Sequence, residues 1–574
     1  MKIKSIFNKK AAAFITSAAF ITSAAIFSAS TGAFAEFTDI SSDAWYSDAV
    51  QFMVDSGYMN GISDTEFAPD AGMTRGMFVT VIGRMDGANT GEYTKAIFPD
   101  VPITQWYAPY VNWALEAGIV TGFSDLHFYP DEQITRSQLA VMIKRYLDYR
   151  NIVLPVNPNA YDSYTDEASI AEWAKEGADL MRTTGIITGD DYGNFMPDSL
   201  ATRAQIAVTI MKLRAVINGE TLEIPQRKER SKAEILLEGM TLKDKVYQMF
   251  MVSPEQITGV QAATMAGVTT KDAVTKYPVG AILYDSKNIL ESEQITQMVT
   301  TTAGYMTTAP FTVISEEPGD NSPLFSKLGL TKYNNAYTYK NDGTEKITEI
   351  YSNISTELKN HGFNTNLAPV ADIWSNTRNT YISTRAFAND YQTAGAMTAA
   401  AVKASKENGI LTAVKYFPGY GDCAENPNDG ACYSYKTLDE LKNDDFNTYK
   451  NGIDAGADFV VCANVNMPEV DPYYPASLST IFVNDLLKGY LGFDGIIISG
   501  AQNMKAITSE YSAADAAVMA VDAGCDMIML PANVDQAVNA IIQAVNDKSI
   551  SESRINESVL KILNKKIEAG LIQG

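Results

Sequence analysis

The chain has 574 residues and a formal net charge of -23, so it is too long for a single hydrophobic core and is expected to form about three to four units of roughly 150 residues. The sequence has no basic stripe for phosphate groups, which excludes a nucleic-acid partner, and its acidic character suits a solubilised extracellular protein. Four cysteines are too few for a disulfide-built scaffold, and two histidines leave no cluster for a metal site, so no metal or cofactor is expected.

Residues 1–35 are predicted to be a secretory signal peptide. Lysines precede an apolar, alanine-rich run over residues 11–27, and Ala33-Phe34-Ala35 forms a small-x-small cleavage site. A membrane anchor is the alternative, but threonines and serines interrupt the run, which is also short for a bilayer span. Cleavage after Ala35 predicts a secreted chain that keeps no membrane segment.

Three repeats follow, with predicted bounds 36–90, 97–150 and 161–217. Each has a tryptophan thirty residues before an arginine, and each begins with an aromatic residue and an aspartate. A threonine before each arginine is well placed to cap a second helix, so each unit is predicted to be helix, loop, helix. Such small units must pack together to bury their apolar faces. The repeated residues are Asp39, Trp45, Thr74 and Arg75; Asp100, Trp106, Thr135 and Arg136; and Asp166, Trp173, Thr202 and Arg203.

These positions resemble the S-layer homology domain. The resemblance implies an all-α, pseudo-threefold bundle whose repeated aspartates, tryptophans and arginines bind a pyruvylated secondary cell-wall polymer in grooves between repeats. An arginine at a helix N-terminus suits an anionic sugar substituent. The alternatives are that the arginines pair with acids of the repeats and that the tryptophans fill the core. The first repeat departs from the family in Gly76 and Met77 after Arg75, which predicts a weaker groove.

A polar linker is predicted over residues 218–232, and an α/β barrel over residues 233–574. Short apolar runs separated by helix-length intervals indicate a parallel sheet covered by helices, and their number favours a (β/α)8 barrel over an open sheet. The predicted strands are 279–283, 311–314, 365–368, 411–414, 459–462, 495–498 and 527–530. The residues that follow strands and so line the active face of a barrel are Glu316, Glu317, 369–372, 415–422, Asn464, Ser499 and Gly500.

This half is similar to glycoside hydrolase family 3, in the branch of single-domain β-N-acetylhexosaminidases. The segments that carry the resemblance are 367–372 (LAPVAD), 384–387 (TRAF), 415–422 (KYFPGYGD), 475–479 (PASLS) and 491–499 (LGFDGIIIS). The resemblance implies sugar-holding roles for Asp372, Arg385 and Lys415.

The same resemblance implies that the usual catalytic groups are missing. Retaining glycosidases need a carboxylate nucleophile and a second acid/base group. Gly500 stands at the family's nucleophile position, and Tyr416 and Tyr420 replace two motif histidines. The loop 423–435, where the family carries its acid/base histidine, has no histidine, and Ser315 replaces a sugar-contacting aspartate.

Three hypotheses remain open from the sequence. The favoured one is a wall-anchored pseudoenzyme whose barrel binds peptidoglycan or another N-acetylglucosamine-containing glycan. The second is an active glycosidase with substitute carboxylates, for which Glu317, Asp422, Glu425 and Asp429 are candidates. The third is a structural surface-layer component, with Arg385 and Asp372 as a buried structural pair.

The four cysteines divide into two predicted classes. Cys423 and Cys432 are close in one loop and are expected to pair in an exported protein. Cys462 and Cys525 lie in apolar segments and are expected in the core.

Overall fold

Residues 37–573 are described in a computed structural model. The predicted signal peptide and its cleavage site lie outside these residues. The chain divides into two compact units between Glu229 and Arg230, inside the range predicted as linker. No helix among the described residues is long and apolar enough to span a bilayer.

The first unit is built from pairs of helices, one pair in each repeat. The predicted threonine caps are confirmed in all three repeats. In each, the threonine side chain accepts a hydrogen bond from an amide of the first helical turn: Thr74, Thr135 and Thr202. The second and third caps are reciprocal, through Gln138 and Gln205, whereas Met77 leaves the first without its return bond. The helices are α1 (Ser47–Asp55), α2 (Arg75–Asp86), α3 (Ala108–Glu116), α4 (Arg136–Tyr149), α5 (Lys175–Thr184) and α6 (Arg203–Ile217).

A ring of backbone hydrogen bonds joins the three repeats. Ile134 N donates to Met73 O at 2.9 Å, Ala201 N donates to Ile134 O at 3.0 Å, and Met73 N donates to Ala201 O at 3.0 Å. Isolated antiparallel bridges accompany this ring, so the unit adds short extended contacts to its helices. The cyclic order of the bonds gives the repeats a pseudo-threefold relation.

The second unit is a parallel barrel. Eight strands pair in the order β10-β1-β2-β3-β4-β5-β7-β9, and a bridge between Ile498 and Met527 brings the two ends of the sheet together. The strands are β1 (Phe250–Val252), β2 (Ala281–Leu283), β3 (Phe311–Ile314), β4 (Thr365–Asn366), β5 (Leu411–Phe417), β7 (Phe459–Cys462), β9 (Ile496–Ile498) and β10 (Ile528–Met529). The pair β6 (Cys432–Tyr433) and β8 (Val465–Asn466) forms a separate two-stranded sheet.

Helices alternate with the strands and cover the barrel, as the sequence predicts. Their apolar faces and the inward strand residues form one continuous core. They are α7 (Lys232–Glu238), α8 (Leu242–Gln248), α9 (Pro254–Thr258), α10 (Val268–Lys276), α11 (Ser292–Gly304), α12 (Pro323–Leu328), α13 (Gly343–Asn360), α14 (Tyr391–Glu407), α15 (Leu438–Asn443), α16 (Asp445–Asp454), a π-helix (Ile481–Tyr490), α17 (Lys505–Thr508), α18 (Ala513–Ala523), α19 (Val534–Asn546) and α20 (Glu552–Glu568).

The disulfide prediction is wrong for this structure. Cys423 and Cys432 are both free thiols and both buried. The thiol of Cys432 donates to the carbonyl oxygen of Glu425 at 3.5 Å, within the same loop. Cys462 and Cys525 are also buried and free, as predicted for core residues.

Candidate functional site

A buried ion cluster lies at the carboxyl ends of strands β3 and β5. Glu317 follows β3 and is 3% exposed; its carboxylate accepts two bonds of 2.8 Å from Arg385. Lys415 lies in β5, and its Nζ is 2.5 Å from Glu317 Oε1. Burial alone raises the pKa of Glu317, but the two cations outweigh it and hold the pKa at about 2. Glu317 is therefore ionised throughout the neutral range.

The buried pair that the sequence suggested between Arg385 and Asp372 is replaced by this cluster. Asp372 Oδ1 instead accepts bonds from the Tyr449 hydroxyl at 2.7 Å and from Tyr420 N at 3.1 Å. Its Oδ2 is buried and has no partner among the described residues. Burial raises the pKa of Asp372 to about 7, so this carboxyl is partly protonated at neutral pH.

Two neighbouring chambers, which share lining residues, lie beside the ion cluster. The inner chamber has a volume of about 160 Å³ and the outer one about 690 Å³. They share walls formed by Ser315, Tyr381 and Tyr416, among other residues. Lys415 lines the inner chamber and Arg385 the outer one, whereas Asp372 is absent from the described residues that line either. Together the chambers are large enough for a sugar.

Gly500 lies in the wall of the inner chamber, against Asn464. A Cβ atom at position 500 would lie 2.5 Å from Asn464 Cγ and closer still to its Oδ1. Asn464 is held there, because its Nδ2 donates to Ala501 O at 2.8 Å and its Oδ1 accepts from Ser477 Oγ at 2.7 Å. The amide of Asn464 therefore fills the space that any side chain at position 500 would need.

We expect Gly500→Ala to destabilise the barrel by about 1–3 kcal/mol, because overpacking of a filled site displaces its neighbours. Gly304→Ala is the matched control, since no atom lies within 4 Å of the added methyl group. Chemical denaturation that follows the barrel transition measures the difference. Equal stability of the two variants would contradict the close packing of Asn464 on Gly500.

The candidate substitute carboxylates do not line the two chambers. The pKa of Glu317 is held at about 2, so it cannot deliver a proton at neutral pH. Asp422 Oδ2 accepts a 2.9 Å bond from Ser434 Oγ. Glu425 and Asp429 are exposed, and neither is among the described residues that line the chambers.

In the repeat unit, the predicted arginines link neighbouring repeats. Arg75 Nε donates to Phe128 O at 3.0 Å, Arg136 Nε to Phe195 O at 2.5 Å, and Arg203 Nε to Phe67 O at 2.8 Å. All three guanidinium groups also lie over a phenylalanine ring. Burial lowers the pKa of each arginine.

The repeated aspartates have a different task. Asp39 accepts bonds from the amides of Phe67 and Ala68, and the same pair of bonds recurs at Asp100 and Asp166. The alternative that the arginines pair with the repeat acids is therefore wrong, since within residues 37–229 the arginines donate to carbonyl groups. Each aspartate fixes the loop whose carbonyl receives an arginine.

The repeated tryptophans are surface residues. Trp45 is 68% exposed, Trp106 54% and Trp173 61%, so the alternative that they fill the core is wrong. Trp173 lines a cavity of about 220 Å³ together with Arg75, Arg145 and Gln138. This cavity joins residues from all three repeats, and an indole ring with two guanidinium groups suits an anionic sugar.

Sequence reasoning missed two features of the barrel site. Asn464 follows β7, a position that marks it for the active face, but its packing on Gly500 depends on the barrel closing. Tyr381 lines both chambers, and its carbonyl oxygen accepts a 2.9 Å bond from Arg385. No motif marks Tyr381, which comes from a loop without regular structure.

Comparison with known proteins agrees with the barrel and with the three repeats. The family description "Glycosyl hydrolase family 3 N terminal domain" matches residues 241–565, more than half of the chain. The chain belongs to this family. The S-layer homology domain matches three times, over residues 36–76, 97–140 and 163–207.

Its relatives include glycosidases. A β-hexosaminidase of Stenotrophomonas maltophilia is 34% identical over 190 residues, which cover 33% of this chain and 56% of that protein. A β-N-acetylglucosaminidase/β-glucosidase of Cellulomonas fimi is 28% identical over 40% of this chain and 43% of that protein. The chain thus spans about half the length of the curated relatives it matches.

Among solved structures, a glycoside hydrolase family 3 β-N-acetylglucosaminidase from Paenibacillus sp. is 29% identical, with a TM-score of 0.54. The match covers 58% of this chain and 64% of that one. A β-N-acetylhexosaminidase from Beutenbergia cavernae has the same fold at 24% identity, with a TM-score of 0.50, over 57% of this chain and 98% of that one.

Proposed function

We propose that this protein is secreted, is attached to the bacterial cell wall by its three repeats, and carries a family 3 barrel that binds an N-acetylglucosamine-containing glycan without hydrolysing it. S-layer homology repeats indicate association with the cell surface. The N-acetylglucosaminidase relatives indicate the class of glycan.

The repeats are proposed to bind a secondary cell-wall polymer. The supporting observation is the cavity that brings Trp173, Arg75 and Arg145 together. Exposed indole rings stack on sugar faces, and the guanidinium groups offer charge-assisted donors to an acidic substituent. We propose that the related surfaces around Trp45 and Trp106 contribute in the same way.

The barrel is proposed to lack the usual catalysis, and one observation carries this proposal: Asn464 fills the space beside Gly500. A glycine cannot form a glycosyl-enzyme, and the packed amide leaves no room for a replacement side chain from this position. The adjoining chambers nevertheless keep Lys415 and Arg385 as hydrogen-bond donors in their walls. A site that has lost its nucleophile but kept its cavity suits binding.

Titration of the full chain with N-acetylglucosamine oligosaccharides, followed by a crystal structure of the complex, tests the barrel proposal. We expect sugar in the chambers, with hydrogen bonds from Lys415 and Arg385. Lys415→Met should weaken binding about tenfold or more, because it removes a charge-assisted donor. Lys327→Met, on an exposed lysine, is the matched control. Empty chambers at saturating sugar would favour a purely structural barrel.

A further inference from the structure

The walls of the inner chamber carry a single formal charge, which is positive. Its walls are formed by aliphatic, aromatic, sulfur-containing and small residues, and Lys415 alone among the described lining residues carries a formal charge. Lys415 is 1% exposed. Its Nζ contacts Glu317 Oε1 at 2.5 Å and Ser315 Oγ at 2.8 Å. An ammonium group has three donors, so one remains for a ligand.

The ion cluster behind this wall carries one positive charge in excess. Lys415 and Arg385 are two cations, and Glu317 is the single carboxylate that contacts them among the described residues. Two further carboxyl groups, Glu316 and Asp372, lie near the cluster without contacting either cation. Burial raises the pKa of each to about 7, so the positive excess is largest below pH 7, where both are mainly protonated. A buried charge without full compensation is costly, and a bound anion would relieve that cost.

The phenol of Tyr416 adds a hydrogen-bonding group beside Lys415. Its oxygen accepts a 2.8 Å bond from Arg385 Nη2, and its ring lies in the wall shared by the two chambers. The Tyr416 hydroxyl also hydrogen-bonds with the Tyr381 side chain. One of the two phenol hydrogens is used in that bond, so the pair has one hydrogen left for a ligand beside Lys415.

The outer chamber offers a different surface. Side-chain amides and a hydroxyl line it, together with two acidic and two basic residues whose formal charges sum to zero: Glu255, Asp285, Lys287 and Arg385. Lys287 Nζ lies 3.1 Å from Glu255 Oε2. Amide and hydroxyl groups both donate and accept, as sugar hydroxyls require. The polar lining residues are Ser253, Gln256, Asn321, Asn428 and Asn503. A neutral polar chamber thus adjoins a small chamber with a cation.

We propose that the barrel selects a carboxylate-bearing amino sugar, with its pyranose ring in the outer chamber and its carboxylate at Lys415 Nζ and the Tyr416 hydroxyl. This inference rests on the proposed function that the barrel binds a glycan. It adds that an acidic group of the sugar, rather than the N-acetylglucosamine ring alone, determines affinity.

Three probes separate charge from shape: N-acetylmuramic acid, its methyl ester, and N-acetylglucosamine. We expect the acid to bind the full chain about tenfold or more tightly than either neutral sugar, because hydrogen bonds to a charged group are the stronger ones. Calorimetric titration at neutral pH measures all three affinities. Equal affinities would overturn the inference and leave the proposed function intact, whereas no binding by any probe would overturn both.

Two substitutions at position 315 test whether the preference for the acid depends on the positive charge of Lys415. Ser315→Asp places a carboxylate against Lys415 Nζ and should abolish the preference for the acid over its ester. Ser315→Asn has the same size without the charge and should keep that preference. Retained preference in Ser315→Asp would overturn the inference.

The repeats can also bind acidic sugars, so their contribution is tested separately. Acid binding should be lost in Lys415→Met and retained in Trp173→Ala. The reverse result would place the acidic sugar on the repeats and overturn the inference. If Ser315→Asp fails to fold, the comparison of the three sugars with Lys415→Met still decides the matter.

Discussion

Replacement of the three exposed tryptophans by alanine should release the full chain from purified cell-wall sacculi while the repeat unit remains folded. Trp45, Trp106 and Trp173 are each more than half exposed, so their removal costs little core packing. Stacking on sugar rings is then the interaction that is lost. We expect pelleting to fall about tenfold or more in apparent affinity, since aromatic residues dominate binding energy at such surfaces.

Thermal unfolding and a surface control complete this experiment. The triple variant should unfold within a few degrees of the parent protein. Val153→Ala, at another exposed apolar position, should pellet normally. Sacculi stripped of their secondary polymer should retain neither protein. Normal pelleting of the tryptophan variant would show that the grooves are not the attachment site.

The arginines should behave differently from the tryptophans in the same assay. Changing Arg136 and Arg203 to alanine should also abolish pelleting, but each guanidinium donates to a carbonyl of another repeat. Each change should therefore cost about 1.5–3 kcal/mol of stability as well. The structure thus shows that the arginines link neighbouring repeats, which the thirty-residue spacing alone did not reveal.

The strand pattern of the barrel was predictable because parallel strands are buried on both faces. Continuous apolar runs marked β3 and β7 with their observed bounds. The first strand, β1, was missed because it has three residues and begins directly after helix α8, with no glycine or proline between them. The short β6 and β8 were missed because they have two residues each and pair only where the loop after β5 meets the segment that follows β7.

Candidate site residues were predictable where a motif marks them, whereas their partners were not. The sequence selected Arg385 and Lys415, and its structural alternative offered Asp372 as the partner of Arg385. The observed partner, Glu317, comes from the end of a different strand. Which carboxylate meets a given cation depends on barrel geometry, and sequence spacing does not encode it.

The same limit applies to the tryptophans. Large aromatic residues are usually buried, which made a core position a fair alternative. In the first two repeats the tryptophan immediately precedes a tyrosine and packs edge-on against its ring, whereas Ala174 follows Trp173 in the third. The indole ring thereby stays at the surface, where composition alone would not place it.

The full chain should give no measurable turnover of aryl N-acetyl-β-glucosaminides. Gly500 supplies no nucleophile, and Asn464 occupies the space beside it. Glu317, which does not line either chamber, is held ionised by Arg385 and Lys415 and cannot protonate a leaving group. Loss of acid/base assistance alone removes a factor of about 10²–10⁴, and loss of the nucleophile adds to it.

The loop 423–435 makes a substitute acid from that segment unfavourable. Ser434 N donates to Asn466 O at 3.0 Å, and Ala506 N donates to Pro427 O at 3.0 Å. These bonds hold the loop at both ends against other parts of the rim. Asn428 of this loop lines the outer chamber, whereas neither Glu425 nor Asp429 is among the described residues that line either chamber.

Gly500→Asp alone should therefore restore little activity, because the new carboxylate would collide with Asn464 and would still lack an acid partner. Steady-state assays over a range of pH, with an active β-N-acetylglucosaminidase of the family as positive control, measure this. Glu425→Gln and Asp429→Asn are the informative variants. If the unmodified protein turned over the substrate and either of these changes abolished that turnover, the barrel would be an enzyme with a rebuilt active site, and binding without hydrolysis would be the wrong description.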